Sequence, residues 1–256
     1  MILLIGGTSE TAPLASSLAG AGYEVLVSTA TDSRLNVGDH PRISRRAGRL
    51  DEEGMVALGK EKGIRAIVDA AHPYAVAVHA AVQVAAQCLG IPCLVFRRPE
   101  ALTPESPVRF AADHAEAAEM AFAEGRPVLL TTGSRNLAPY AETARRTGVP
   151  LAVRILDIPE SLLVCREAGI PGDRIIAGRG PFSVEENLAA IRRFGIGVIV
   201  TKESGRAGGI DAKLAAARRE NCRVIILRRP ETSASSPAFD QPEALISALA
   251  ALVPPD

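Results

Sequence analysis

Met1-Ile-Leu-Leu-Ile-Gly-Gly-Thr-Ser-Glu10 opens the chain. Four apolar residues, Ile2 to Ile5, run into a glycine pair, and small polar residues then begin a helical pattern. The stretch predicts a buried first strand, a tight turn and a helix N-terminus. In such a turn, backbone N–H groups face outward at the positive end of a helix dipole, where a phosphate is stabilised. Gly7, Thr8, Ser9 and Glu10 are therefore candidates for nucleotide contact. The dinucleotide fingerprint has three spaced glycines, whereas Ser9 and Thr11 stand here. By itself the turn serves equally well as a plain strand-to-helix connection.

The strand–turn–helix reading extends along the chain. A strand over Glu24–Ser28 follows a helix from about Thr8 to Ala19. Ile43–Ala47 is a short strand. Asp51 is placed to cap a helix that reaches about Lys62 and closes at Gly63. Then come a strand at Ala66–Asp69, an Ala-rich helix at Tyr74–Leu89 with Pro73 in its first turn, a strand at Pro92–Phe96, and a helix at about Ala111–Ala123. This alternation predicts mainly parallel sheet covered on both faces.

The plan then repeats. Val128-Leu-Leu-Thr-Thr-Gly-Ser134 echoes the opening strand and turn, with Gly133 in the place of Gly7. The same offset carries Ala12-Pro13 onto Ala138-Pro139. Arg97-Arg-Pro-Glu100 recurs as Arg228-Arg-Pro-Glu231, each time after a strand, and a helix at about Gln241–Leu252 matches the one at about Ala111–Ala123. The chain reads as two similar Rossmann-like α/β lobes with mainly parallel sheets and a cleft between them. The lobes are residues 1–126 and 127–256, joined near Gly125-Arg-Pro127. Sites in such sheets form at the carboxyl ends of strands.

Composition limits the functions available. The 256 residues are enough for two ordinary domains, and 47% hydrophobic with 4% aromatic content suits an aliphatic interior. Lys plus Arg and Asp plus Glu both total 29, so no basic field recruits nucleic acid or an anionic membrane. Apolar runs are too short to span a bilayer. The N-terminus has no signal-peptide pattern. Four cysteines without a CxxC pair fit buried free thiols in a reducing cytoplasm. Metal, lipase-type and Walker motifs are absent, and no metal site is expected.

Two loops of the first lobe point to a cofactor. An acidic residue commonly ends the second strand where NAD binds. Here Ser28 and Thr29 end it, with Arg34 close behind. Hydroxyls and a guanidinium suit a 2′-phosphate, so a dinucleotide bound here is NADPH. A solvated Ser/Thr loop fits the same residues. After the fourth strand, His72 and Tyr74 fall at the sheet edge beside Gly6-Gly7, placed to line the nicotinamide or to help order the substrate; capping of local backbone groups by His72 fits the same position. In the second lobe, cations and hydroxyls recur at strand ends: Ser134 and Arg135, Arg154, Ser183 within a Ser183–Glu186 capping box, Lys202 and Ser204, with Lys213 farther on. Together they form a receptor for an anion bearing several carboxylates or phosphates.

The ordered set Ile5-Gly-Gly-Thr-Ser-Glu10, Asp69-Ala-Ala-His-Pro-Tyr-Ala75, Leu129-Leu-Thr-Thr-Gly133, Gly180-Pro-Phe-Ser-Val-Glu-Glu-Asn187 and Val200-Thr-Lys-Glu-Ser-Gly205 resembles the precorrin-6A reductase family of cobalamin biosynthesis. The resemblance runs from residue 2 to about residue 230. It implies NADPH-dependent reduction of one macrocycle double bond, giving precorrin-6B, in the cytoplasm and without flavin or metal. It also implies a substrate carrying many acetate and propionate groups. On that reading the first lobe holds NADPH through Gly7, Thr8, Ser9, Glu10, Ser28, Thr29 and Arg34, with His72 and Tyr74 near the nicotinamide. The second holds carboxylates through Ser134, Arg135, Arg154, Ser183, Lys202 and Ser204, and Lys202 is the candidate proton donor or electrostatic stabiliser. Two alternatives stay open: a related NADPH reductase for another polyanion, and a non-catalytic NADP-sensing module. No dimer seam is visible, so a monomer is expected.

Overall fold

The computed structural model describes residues 1–31, 36–97, 108–203, 209–229 and 236–255. In chain order its elements are β1 (Ile2–Ile5), α1 (Thr11–Gly20), β2 (Val25–Thr29), β3 (Ile43–Ala47), α2 (Glu52–Lys62), β4 (Ala66–Asp69), α3 (Val76–Leu89) and β5 (Cys93–Phe96). There follow β6 (Arg109–Ala111), α4 (His114–Phe122), β7 (Val128–Leu130), α5 (Ala138–Thr147), β8 (Leu151–Ile155), α6 (Pro159–Glu167) and β9 (Ile175–Ala177). The chain ends with α7 (Val184–Phe194), β10 (Val198–Lys202), α8 (Ile210–Arg219), β11 (Arg223–Leu227), β12 (Ala238–Phe239) and α9 (Pro242–Leu252).

These strands form two six-stranded sheets, ordered β12-β5-β4-β1-β2-β3 and β6-β11-β10-β7-β8-β9. Every strand pair is parallel. From the central strands β1 and β7 the chain moves outward over two strands and then returns to that strand's other side; in the second sheet the edge strand β6 precedes β7 in the chain. The switch points lie between β1 and β4 and between β7 and β10, where α/β sheets open a crevice for ligands.

The compact units differ from the lobes expected at residues 1–126 and 127–256. Unit 1 is Met1–Pro99 with Pro230–Asp256, and unit 2 is Glu100–Arg229. Helix α4, read from chain order as closing the first lobe, belongs with β6, a strand not expected from the sequence, to the second sheet. The pair β12–α9 belongs to the first. Residues 125–127, taken as the joint, are an ordinary helix-to-strand turn inside unit 2. The repeated Arg-Arg-Pro-Glu segments mark the positions at which the exchange occurs. Arg97 N–H donates to Phe239 O at 2.8 Å and Arg228 N–H to Ala111 O at 2.9 Å. The first arginine of each repeat therefore extends the ladder onto the exchanged strand. Arg98, Pro99, Glu100, Pro230 and Glu231 lie outside the described residues.

Side-chain alternation accounts for the packing of unit 1. Ile2, Leu4, Val25, Val27 and Val68 face α1 and α9 through Leu14, Leu18, Leu245 and Leu249. Leu3, Ile5, Leu26 and Ile67 face α2 and α3 through Met55, Val82 and Ala85. Strands buried on both sides read as unbroken apolar runs, as β1 does. The C-terminal tail is fixed by the buried Tyr23, whose hydroxyl donates to Val253 O at 2.8 Å. In unit 2, Leu129, Ile199, Val224 and Ile226 pack against α7 and α8 through Leu188, Ile191, Ile210 and Leu214. On the same sheet α4 packs against β10, β11 and α5.

Local signals hold with small shifts. Asp51 caps α2, accepting Gly54 N–H at 2.9 Å, and Gly63 closes it in the left-handed region. Helix α3 starts at Val76 behind Ala75, so Pro73 sits in the preceding turn. Of the cysteines read as buried, only Cys165 is; Cys88 is exposed.

Because α9 covers the first sheet, Leu249→Ala should cost about 2–5 kcal/mol. It should speed amide exchange in β1, β4 and β5 while leaving β7 and β10 protected. Faster exchange confined to β7 and β10 would restore lobes that follow chain order.

Candidate functional site

The switch point of unit 1 is built by the turns after β1 and β4. Gly6 N–H donates to Ser28 O at 2.9 Å, and a Cβ on Gly6 would lie 2.5 Å from the Thr11 methyl. Gly7 has φ +116° with open space where a Cβ would project, so a ligand can approach its backbone closely. The amides expected to face outward are engaged within the turn. Gly7 and Thr8 N–H both donate to Thr11 Oγ1, at 3.0 and 3.1 Å. A side-chain hydroxyl thus fills the role a third glycine's open space would leave to phosphate. Thr8 is buried, and its hydroxyl donates to Ala70 O at 3.4 Å, tying the two turns together. Ser9 Oγ donates to Glu10 Oε2 at 3.2 Å.

The buried hydroxyls Ser28 and Thr29 meet two guanidinium groups from β3. Arg46 donates to Ser28 Oγ at 2.8 Å and Gly48 O at 2.9 Å. Arg45 donates to Thr29 Oγ1 at 3.3 Å. Arg34, the cation expected here, lies outside the described residues. Arg45 and Arg46 escaped the sequence reading because the parallel register that sets Arg46 opposite Ser28 joins residues 18 apart. Their signal was two adjacent arginines near the end of a short third strand.

The loop after β4 rests on a second unforeseen pair. Asp69, 1% exposed, accepts Ala71 N–H at 3.1 Å through Oδ1 and lies 2.6 Å from His79 Nδ1 through Oδ2. His79 Nε2 lies 3.2 Å from His72 O. Two acceptors on one imidazole call for protons on both nitrogens. Burial opposes that charge, but the Asp69 carboxylate and the carbonyls of His72 and Pro73 outweigh it, raising the His79 pKa. His72 and Tyr74 are half-buried neighbours, with ring centroids 5.6 Å apart and Tyr74 N–H donating to His72 Nδ1 at 3.3 Å. The signal for His79 was an Asp ending a strand and a His opening the next helix.

The edge of unit 2 carries a different charge pattern. Lys202 ends β10. Burial, then the charge of Arg135, lower its pKa. Arg154 ends β8 and is 6% exposed. Its Nη1 donates to Asn187 Oδ1 at 2.7 Å, its guanidinium lies 4.2 Å from the Phe182 ring centroid, and its Nε is buried without a hydrogen bond. Lys213 is brought close: burial and the charge of Arg154 lower its pKa to about 8. A cation held by an amide oxygen and an aromatic face retains capacity for an anion.

The neighbouring carboxylates are committed elsewhere. Glu203, buried, pairs with Arg229 across the ends of β10 and β11. Glu186 completes the capping box of α7, accepting Ser183 N–H at 2.7 Å while Ser183 Oγ accepts Glu186 N–H at 3.1 Å. Ser183 therefore sits at this edge with its hydroxyl engaged in the cap. Ser134 Oγ donates to Ser161 Oγ at 3.2 Å. Ser204 lies outside the described residues.

Comparison with known proteins identifies the family. The family model described as "Precorrin-6x reductase CbiJ/CobK" matches residues 1–250. The cobalt-precorrin-6A reductase of Priestia megaterium is 34% identical over 232 residues, covering 90% of this chain and 91% of its own. The precorrin-6A reductase of Rhodococcus erythropolis is 35% identical over 244 residues, covering 93% of each. Among solved structures, CobK precorrin-6A reductase superposes with a TM-score of 0.79 at 26% identity, covering 100% of this chain and 98% of that one. On the match along nearly its whole length, the chain belongs to the precorrin-6x reductase family.

Proposed function

We propose that the chain reduces a macrocycle double bond of precorrin-6A, giving precorrin-6B in cobalamin biosynthesis, with NADPH bound to unit 1 and the substrate's carboxylates bound to unit 2. Family membership supports the reaction. The observation that carries the cofactor is the meeting of Arg45 and Arg46 with Ser28 and Thr29. Two guanidinium groups on two hydroxyls, at the strand end where NAD sites place an acid, fit a 2′-phosphate. Arg34, outside the described residues, is the further cation proposed for this phosphate. The open space at Gly7, with Thr8, Ser9 and Glu10 beside it, admits the pyrophosphate, and His72 and Tyr74 border the nicotinamide.

NADPH supplies a hydride for an electrophilic carbon of the ring. The chain's own residues bind and balance charge. Arg154, with Lys213, and Arg135 neutralise acetate and propionate groups, and Ser134 and Ser183 stand at the same edge; Ser204, outside the described residues, is proposed as a further contact. Lys202 stabilises the electron density reaching the ring and is the candidate proton donor. Its lowered pKa makes it a better acid than an exposed lysine. The chain works as a cytoplasmic monomer. Among the described residues, no helix is long and apolar enough to cross a membrane.

The primary experiment follows NADPH oxidation with metal-free and cobalt-containing precorrin-6A, with NADH in parallel. Consumption of NADPH together with loss of the ring's extended conjugation is the expected result. NADPH binding without turnover of either ring would instead select the sensing module. Arg46→Ala should raise the KM for NADPH roughly 10-fold or more and change that for NADH little, as loss of a charge-assisted phosphate contact requires. Equal effects on both cofactors would remove Arg46 from the phosphate site. Lys202→Ala should lower kcat roughly 100-fold, and unchanged turnover at unchanged substrate affinity would strike it from the mechanism.

The Asp69–His79 pair adds a pH signature. Its stabilisation is complete below the free imidazole pKa of 6.5 and is lost as pH rises through the higher folded value. His79→Gln should therefore cost about 1.5–3 kcal/mol at pH 6 and less at pH 9, measured by urea unfolding, and should raise the KM for NADPH by loosening the His72 loop. A deficit independent of pH would mean that His79 is neutral in the folded chain.

A further inference from the structure

The exchange of β6–α4 brings into unit 2 a histidine that chain order assigns to the first lobe. His114 is the first residue of α4, behind Asp113, whose carboxylate accepts the amides of Ala115 and Glu116 at 2.9 Å each. Helix α4 lies on β10 and β11 and against α5. That contact sets His114 Nδ1 2.9 Å from the hydroxyl of Tyr140, in the first turn of α5, with the rings edge-on at 90°.

Burial decides which atom holds the proton. Tyr140 is 0% exposed, and among the described residues its hydroxyl has no partner besides His114. If the imidazole donated, the phenolic hydrogen would be buried with no acceptor, which native structures avoid. The hydroxyl therefore donates, Nδ1 accepts, and the ring proton resides on Nε2. Among the described residues Nε2 makes no hydrogen bond, and it is not among the buried side-chain atoms left without a partner, so it opens to solvent.

The surrounding charges keep the ring neutral. Burial and then the Lys202 ammonium lower the His114 pKa to about 4, while burial and then the Asp113 carboxylate raise that of Tyr140, keeping the phenol protonated. The edge near Lys202 thus holds a neutral N–H donor next to a cation that itself feels Arg135. A third positive charge there would repel the other two. A neutral donor adds direction to the recognition of an oxygen without that repulsion. His114 is also unsuited to giving up a proton, because replacing it would leave a buried tyrosinate.

We propose that His114 is a substrate-contacting residue of the reductase, donating a hydrogen bond from Nε2–H to an oxygen of a macrocycle carboxylate beside Lys202, and that Tyr140 is the positioning residue that fixes the proton on Nε2. The assignment rests on the reading that the edge of unit 2 receives the macrocycle.

The test compares His114→Phe, His114→Gln, Tyr140→Phe and Lys202→Ala in the full chain, measuring kcat and KM for precorrin-6A and the Kd for NADPH. His114→Phe should lower kcat/KM for the macrocycle roughly 10- to 100-fold, the range for a hydrogen bond to a charged acceptor, through KM and with the NADPH Kd within about twofold. His114→Gln, whose amide nitrogen reaches the place of Nε2, should recover most of that loss. Tyr140→Phe should fall between, because both tautomers become available. Should His114→Phe fail to fold, Tyr140→Phe carries the test through the same split of macrocycle KM from NADPH Kd.

A folded His114→Phe with macrocycle kinetics within about twofold of the parent overturns the role of His114, as does a glutamine variant no better than phenylalanine. Unchanged macrocycle kinetics in both His114→Phe and Lys202→Ala overturns the placement of the substrate at this edge. A change in Lys202→Ala alone leaves that placement standing and rejects only His114.

Discussion

A parallel sheet buries both faces, and each face needs helices. The first sheet obtains its second cover from α9, at the far end of the chain. Ile2, Leu4, Val25, Val27 and Val68 present a continuous apolar surface, and α1 alone does not close it. Leu245 and Leu249, both 0% exposed, complete that surface. Burial of one Leu side chain contributes about 1.5–3 kcal/mol, a large fraction of what holds a domain together. The exchange therefore sets which residues each unit comprises, and everything at the strand ends follows from it.

The two switch points share a backbone plan and differ in their electrostatics. In unit 1, positive charge gathers beside the hydroxyls ending β2, through Arg45 and Arg46, while the His72 loop is held by an ion pair with its carboxylate 1% exposed. In unit 2, Arg135, Arg154, Lys202 and Lys213 stand near strand ends or the following helix, and the nearby acids are occupied. Glu203 is neutralised by Arg229, and Glu186 is committed to the α7 cap. The result is an edge with positive charge and few competing carboxylates, which suits an anion.

Desolvation tunes this edge as well as net charge does. Lys202 and Lys213 both lose proton affinity through burial first and through a neighbouring arginine second. An opposite charge placed beside either ammonium would act against both effects. His114 supplies the complementary case of a group held neutral by the same surroundings.

Much of the fold was legible locally. The apolar run Ile2–Ile5, the Asp51 and Ser183 caps, the left-handed closure at Gly63 and the alternation of strand with helix are short-range signals, and the structure keeps them. The strand-end positions of Lys202 and Arg154 were legible for the same reason. The direction of the Gly7 and Thr8 amides was not, because it depends on where the Thr11 hydroxyl falls once α1 docks. Nor were Arg45 and Arg46, His79, or the meeting of His114 with Tyr140, since each depends on a register or a helix docking between distant residues. The internal repeat was itself misleading at its ends. Two equivalent edge strands followed by the same tetrapeptide offer equivalent docking sites, and nothing local distinguishes which following strand each receives. The sequence by itself determined the element types apart from the short strands β6, β9 and β12, the parallel class and the residues at strand ends. Tertiary structure decided which sheet β6–α4 and β12–α9 join, and hence which charges and hydroxyls meet, because burial is settled only between surfaces that chain order does not bring together.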